Sequence, residues 1–189
     1  GDDIIVTKDF LKEHVRFFQS DHNDSCVIGK TIWQRDIGIT PVMEIIQKQG
    51  LWFNYDIVNN PKFCFESFYT CNVSVRKSTL GDLRFDEDFK FAAFEDTYMG
   101  YNLYQKGVKF TFNPQALAFH KHHWRLKDVY RRIEVLEKSK AMMLSKIKDK
   151  HIIDYPVAEF SLKKKPWKYR LFIYFVQFFT FLKLFRFLE

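Results

Sequence analysis

The chain has 189 residues, room for one domain or one domain with an appendage. Hydrophobic residues make up 47% and charged residues 28%, which excludes disorder as the default state and allows a sizeable core. The net charge is +7, and 22 Phe raise the aromatic share to 19%, more than a small core needs, so part of that surface is available to a membrane or a partner.

Three cysteines, Cys26, Cys64 and Cys71, have no paired spacing. An odd, sparse set gives neither a disulfide framework nor a zinc site and points to a reducing compartment. No signal peptide opens the chain, and Gly1-Asp2-Asp3-Ile4 reads as the interior of a longer sequence.

In chain order, Asp2 and Asp3 precede Ile4-Ile5-Val6, and a helix follows with Phe10, Leu11, Val15 and Phe18 at three- and four-residue spacing. Cys26 to Gly29 reads as a short buried strand. A helix is expected over 41–48, then a loop broken by Gly50 and Asn59-Asn60-Pro61. Phe68 to Val75 alternates, which predicts a strand with Cys71, Val73 and Val75 on one face and Asn72, Ser74 and Arg76 on a polar working face. Ser78 offers an N-cap. A helix over 96–106 should stop at Gly107. Two short strands, 108–112 and 116–119, are expected on either side of Asn113-Pro114. A long helix over 127–150 should turn Val129, Ile133, Leu136, Met143 and Ile147 inward. Strands mixed with helices make the class α/β.

Three places could carry chemistry. Glu95-Asp96 open a helix, where acids satisfy free N–H groups and oppose the positive end of the dipole. A carboxylate fixed there is also aimed and ionised, as a general base must be. Asp2-Asp3 at a strand end can hold Mg²⁺ or Mn²⁺, which favour oxygen ligands and bridge to phosphates. His120 closes a strand, with His122 and His123 behind it, and imidazole can complete a site for manganese.

The order of these features resembles the family 2 glycosyltransferases of the GT-A fold. The residues carrying it are Gly1-Asp2-Asp3-Ile4, the segment from Thr70 to Lys77 containing N-V-S-V-R, Phe85-Asp86-Glu87-Asp88-Phe89, Phe94-Glu95-Asp96 with Gly100-Tyr101-Asn102-Leu103, and Asn113-Pro114 through His120. The resemblance covers residues 1–150. It implies a mixed sheet flanked by helices, and transfer of a sugar from a nucleotide-sugar donor to a glycan, lipid or other hydroxyl acceptor with inversion. Asp96 is then the catalytic base and Glu95 its neighbour. Asp2 and Asp3 look like the metal-binding end of the Asp-x-Asp motif, His120 completes the Mn²⁺ or Mg²⁺ site, and Asn72, Ser74 and Arg76 line the substrate pocket. Gly1 stands where many relatives have the first acid of that motif. Such enzymes also carry strand–helix units that bind the nucleotide base ahead of it, so residues 1–150 look like the acceptor-side half, inactive by itself.

Residues 151–189 form a basic, aromatic tail, with Lys163, Lys164, Lys165, Lys168 and Arg170 ahead of an apolar stretch from Leu171 to Leu182. A spanning helix needs roughly 20 apolar residues, so this one is too short to cross unaided. Gln177, Thr180, Lys183 and Arg186 leave a narrow polar stripe, which suits an amphipathic helix on an anionic membrane with Trp167 and Tyr169 at headgroup depth. The location that follows is cytoplasmic, peripheral to the inner face of a membrane. The alternative is a membrane-surface binding module without catalysis. Nucleic acid is not expected as a partner, because the aromatics are mostly Phe in apolar runs and the acids cluster at the proposed site.

Overall fold

The structure, a computed structural model, describes residues 2–20, 24–48 and 52–149, with Tyr130, Ile133 and Glu134 described in their backbone alone. The expected tail helix, its membrane contact and the inward placement of the Ile133 side chain lie outside that description.

Four strands form one mixed sheet: β1 (Ile4–Val6), β2 (Ser25–Trp33), β3 (Val73–Val75) and β4 (Lys109–His120), in the order β1-β4-β2-β3. β4 runs parallel to β2 and antiparallel to β1, and β3 is antiparallel to β2. β2 is central, with Cys26, Val27 and Ile28 fully buried, as an apolar run covered on both faces must be.

β4 corrects the expected pair of short strands. It is continuous, with an irregularity where Gly29 pairs with Asn113 but Lys30 pairs with Leu117. Pro114 cannot donate to the ladder, and an unpaired bulge is where a strand accommodates it. The Asn72 side chain closes the gap by donating to the carbonyls of Lys30 (3.1 Å) and Ala116 (2.9 Å). Gly29 is required there, since a Cβ would run into Asn72 and stand 2.6 Å from the Ala116 carbonyl.

One face of the sheet carries α1 (Phe10–Ser20). Its buried residue is His14, while Leu11 and Val15, which the spacing made core candidates, are 72% and 54% exposed. The other face carries a core of Cys26, Ile28, Val58, Phe68, Met99, Leu103 and Val108. It is built from short 3-10 turns (Tyr55–Asn59 and Cys64–Ser67) and from α4 (Glu95–Gln105). The helix at 41–48 is present as α2 (Pro41–Lys48). The strand expected from Phe68 shrinks to β3, because residues 68–72 turn back on the chain before them: the Phe68, Tyr69 and Asn72 amides donate to the carbonyls of Phe65, Ser67 and Tyr69 at 3.2, 2.8 and 3.0 Å. Ser78 lies inside α3 (Lys77–Leu80), whose N-cap is Arg76 without a capping side-chain bond. Gly107, at φ 79°, follows the end of α4 as expected. α5 (Leu126–Lys146) packs its C-terminal part, with Met143 and Ile147, against Phe63, Phe65 and Tyr101. Among the described residues no helix is long and apolar enough to cross a membrane.

Candidate functional site

The C-terminal end of β4 lies beside the N-terminal end of β1, because Ile4 is in register with His120 and the Lys121 amide donates to the Asp3 carbonyl at 2.7 Å. That pairing brings Asp3 Oδ2 to 3.1 Å from His120 Nε2 and 3.5 Å from His122 Nδ1. Burial holds the His120 pKa below the ordinary histidine value, the Asp3 carboxylate opposing it, so its imidazole is poised neutral. The rings of His120 and His122 stack at 5.6 Å.

Two donors bound to one octahedral ion at roughly 2.1 Å stand about 3 Å apart, so the Asp3–His120 separation fits a shared cation as well as a hydrogen bond. The surroundings favour the hydrogen bond. His120 Nδ1 is buried with no partner among the described residues, whereas a metal-bound imidazole usually donates its second N–H. Asp2 is exposed, and among the described residues no group of three or more His, Cys, Asp or Glu side chains is arranged to hold a metal ion. Asp3 and His120 could hold an ion here only if its remaining ligands came from water and phosphate. His123 is exposed.

From His120 an aromatic wall leads away. Trp33 and Phe53 lie 5.3 and 5.8 Å from its ring. His122 meets Trp124 at 5.2 Å, Trp124 meets Trp52 at 4.9 Å, and the Arg132 guanidinium lies 5.7 Å from the Trp52 ring centroid. Trp33 and Trp124 are core residues, 4% and 7% exposed, whereas Trp52 is only partly buried.

Arg132 connects the wall electrostatically to Glu95 and Asp96. Asp96 heads α4, and its Oδ1 accepts from the Thr97 amide at 2.7 Å. Burial, then the charge of Glu95, lift its pKa to about 6; the Thr97 hydrogen bonds and Arg132 pull the other way. The helix dipole favours ionisation, and desolvation outweighs it in setting the pKa here. At pH 7 roughly nine in ten such groups are still ionised. Glu95 Oε2 is buried and without a hydrogen-bond partner among the described residues.

The backbone is strained in the same region. Phe53 (φ 55°) and Phe94 (φ 62°) are the non-glycine residues with positive φ among those described. Phe53 stands in the aromatic wall and Phe94 immediately precedes Glu95-Asp96. Left-handed conformations cost a side chain about 1–2 kcal/mol and gather where geometry serves a purpose other than stability. Gly100 seats α4 closely, since a Cβ there would stand 2.5 Å from the Phe65 carbonyl oxygen.

Asn72, Ser74 and Arg76, expected to line a pocket, hold α1 and the bulge instead. Asn72 is 2% exposed. Its amide nitrogen faces two carbonyls, so its Oδ1 must accept from His14 Nε2 (3.0 Å), and His14 Nδ1 then accepts from the Ser74 hydroxyl (2.7 Å). Arg76 donates to the Phe18 carbonyl (2.7 Å) and lies over the Phe18 ring. The F-D-E-D-F acids are also structural: Asp86 and Asp88 clamp Lys146 at 2.8 and 2.6 Å. An open depression of about 460 Å³ at the other end of β4 includes Val58, Tyr104, Lys109 and Thr111 and none of the candidate site residues.

Arg132, Phe53 and His14 carried no mark in the sequence. The pairing of Arg132 with Trp52 was equally unmarked. No protein-family model matches the chain, and a search of curated proteins finds no match.

Proposed function

We propose that the chain is the acceptor-side part of an inverting, nucleotide-sugar-dependent glycosyltransferase in which Asp96 is the general base. The observation that carries the reading is the environment of Asp96: a partly buried acid at a helix head, lifted to about 6 beside a second carboxylate. A base with a pKa just below the working pH is mostly ionised and still basic enough to draw a proton in the transition state. Asp96 would take the proton of an acceptor hydroxyl as the oxygen forms its bond to the anomeric carbon, and the nucleoside diphosphate would leave from the opposite side. Asp3 and His120 would hold a divalent cation, which supplies charge neutralisation for the departing diphosphate.

The partly exposed Trp52 offers a surface of the kind sugar rings stack against. The proposed partners are therefore a nucleotide-sugar and a glycan, lipid or other hydroxyl acceptor, with the tail on an anionic membrane surface. The test is the product. Full-length protein incubated with nucleotide-sugars, Mn²⁺ and candidate acceptors should yield a glycoside of anomeric configuration opposite to the donor, read by proton NMR. A product that retains the donor configuration rules out direct displacement assisted by one base.

A further inference from the structure

β4 changes register once, and the change falls just before the stretch that carries His120 to Asp3. Asn113 pairs with Gly29 and Leu117 pairs with Lys30, so residues 114–116 are extra. From there Ala116, Ala118 and His120 keep the strand alternation, and all three are buried. A slip of one residue beyond the bulge would turn His120 to the opposite face of the sheet, away from the Asp3 carboxylate.

Two ties hold that register. On one side Asn72 Nδ2 donates to the carbonyls of Lys30 (3.1 Å) and Ala116 (2.9 Å), one on each strand of the gap. On the other, Thr7, which leads from β1 into α1, donates its amide (3.2 Å) and its hydroxyl (3.0 Å) to the Leu117 carbonyl. The ties are joined through α1. The Phe10 amide donates to the Thr7 carbonyl at 3.1 Å, and one turn further on His14 Nε2 donates to Asn72 Oδ1 at 3.0 Å. Ser74 then holds His14 Nδ1 at 2.7 Å. The ring of bonds closes around the bulge, and its open end is the pairing of Ile4 with His120 and the bond from the Lys121 amide to the Asp3 carbonyl. Apolar side chains could fill the space of His14 and Asn72 without burying polar atoms. A polar network with both ring nitrogens and the amide satisfied specifies one arrangement instead.

We propose that Asn72 and His14 are the positioning residues of the Asp3–His120–His122 corner: through the bulge and Thr7 they fix the β4 register that sets both imidazoles beside the Asp3 carboxylate. They act along the strand, since Asn72 bonds at Ala116 and His120 lies further along β4. Bulges beside functional groups serve this purpose, re-aiming the side chains that follow.

The proposal rests on reading that corner as the cation site, and its first test needs no cation. Amide hydrogen exchange of the chain is followed at Thr7 and Lys121, which close the β1–β4 pairing, and at Leu103 in α4 as the reference. In Asn72→Ala and His14→Leu, Thr7 and Lys121 should lose about tenfold or more protection beyond whatever Leu103 loses. His14→Gln, whose amide nitrogen can take the place of Nε2, should keep most of it. A merely stabilising network would lower all three amides together, so loss in equal proportion, or none at Thr7 and Lys121, overturns the proposal. If Asn72→Ala does not keep the native circular dichroism, the two His14 variants decide the question. In full-length protein His14→Leu should also weaken Mn²⁺-dependent binding of a nucleoside diphosphate by about tenfold, with Asp3 and His120 intact; affinity equal to wild type overturns the positioning role. A wild-type protein that binds no Mn²⁺ removes the cation from the corner, and hydrogen exchange alone then decides whether the network sets the register.

Discussion

Replacing Asp96 by Asn should stabilise the folded chain at neutral pH while removing the proposed base. The folded-state pKa of about 6 lies above the ordinary 3.8, so the native state binds the proton more tightly than the unfolded chain does. Stability is therefore greatest when the group is protonated in both states, declines as pH rises from about 4 to 6, and levels off above that. The difference of about two units corresponds to about 3 kcal/mol at pH 7, at roughly 1.4 kcal/mol per unit. Local relaxation and water reduce it, and we expect about 1–3 kcal/mol, or a rise of roughly 2–10 °C in melting temperature for a domain of this size. Asn keeps the oxygen that accepts from the Thr97 amide, so the substitution removes the charge and little else. Urea denaturation at pH 7 and at pH 3.5 is the assay. The variant should gain at pH 7, and the gain should fall to a few tenths of a kcal/mol at pH 3.5, where the wild-type acid is protonated in the folded state and mostly so in the unfolded one. A variant less stable than wild type at pH 7, or equally displaced at both pH values, refutes the desolvation argument.

Three further outcomes are expected. Asp3→Ala and His120→Ala should each weaken Mn²⁺-dependent binding of a nucleoside diphosphate to the full-length protein by about tenfold or more, measured by calorimetry; binding unchanged in both would remove the metal from that corner. Asn72→Ala leaves His14 and the carbonyls of Lys30 and Ala116 without their partner, and should cost about 2–4 kcal/mol in urea denaturation; a loss under 1 kcal/mol would mean that the bulge is not held by this side chain. Gly100→Ala must push α4 away from the Phe65 carbonyl, and should cost about 1–3 kcal/mol and shift the Asp96 carboxyl resonance, whereas an unshifted resonance would uncouple the seating of α4 from the site.

Much of the architecture was legible because it rests on local chemistry. α2 begins at Pro41 and α4 is followed by Gly107, two residues that punctuate helices for steric reasons. The meeting of Asp3 and His120 also followed from the order of motifs, and β1–β4 pairing supplies its physical cause. Other features depend on contacts distant in sequence. Pro114 reads as a break, and it is tolerated inside β4 because Asn72 crosses the sheet to satisfy the bulge. His14 sits at an inward helix position, but its polarity hid it until Asn72 and Ser74 were seen to satisfy both ring nitrogens. The same polar strand that looked like a working face is the partner of α1. Arg132 is one basic residue among several in α5, and only its place over the Trp52 ring distinguishes it.

The measurement that tests the central claim most directly is sugar transfer by full-length protein and its Asp96→Asn variant, with donor binding measured on both. The account predicts a loss of about 10²- to 10⁴-fold in kcat with donor affinity nearly unchanged. Transfer at a near wild-type rate by Asp96→Asn would contradict it.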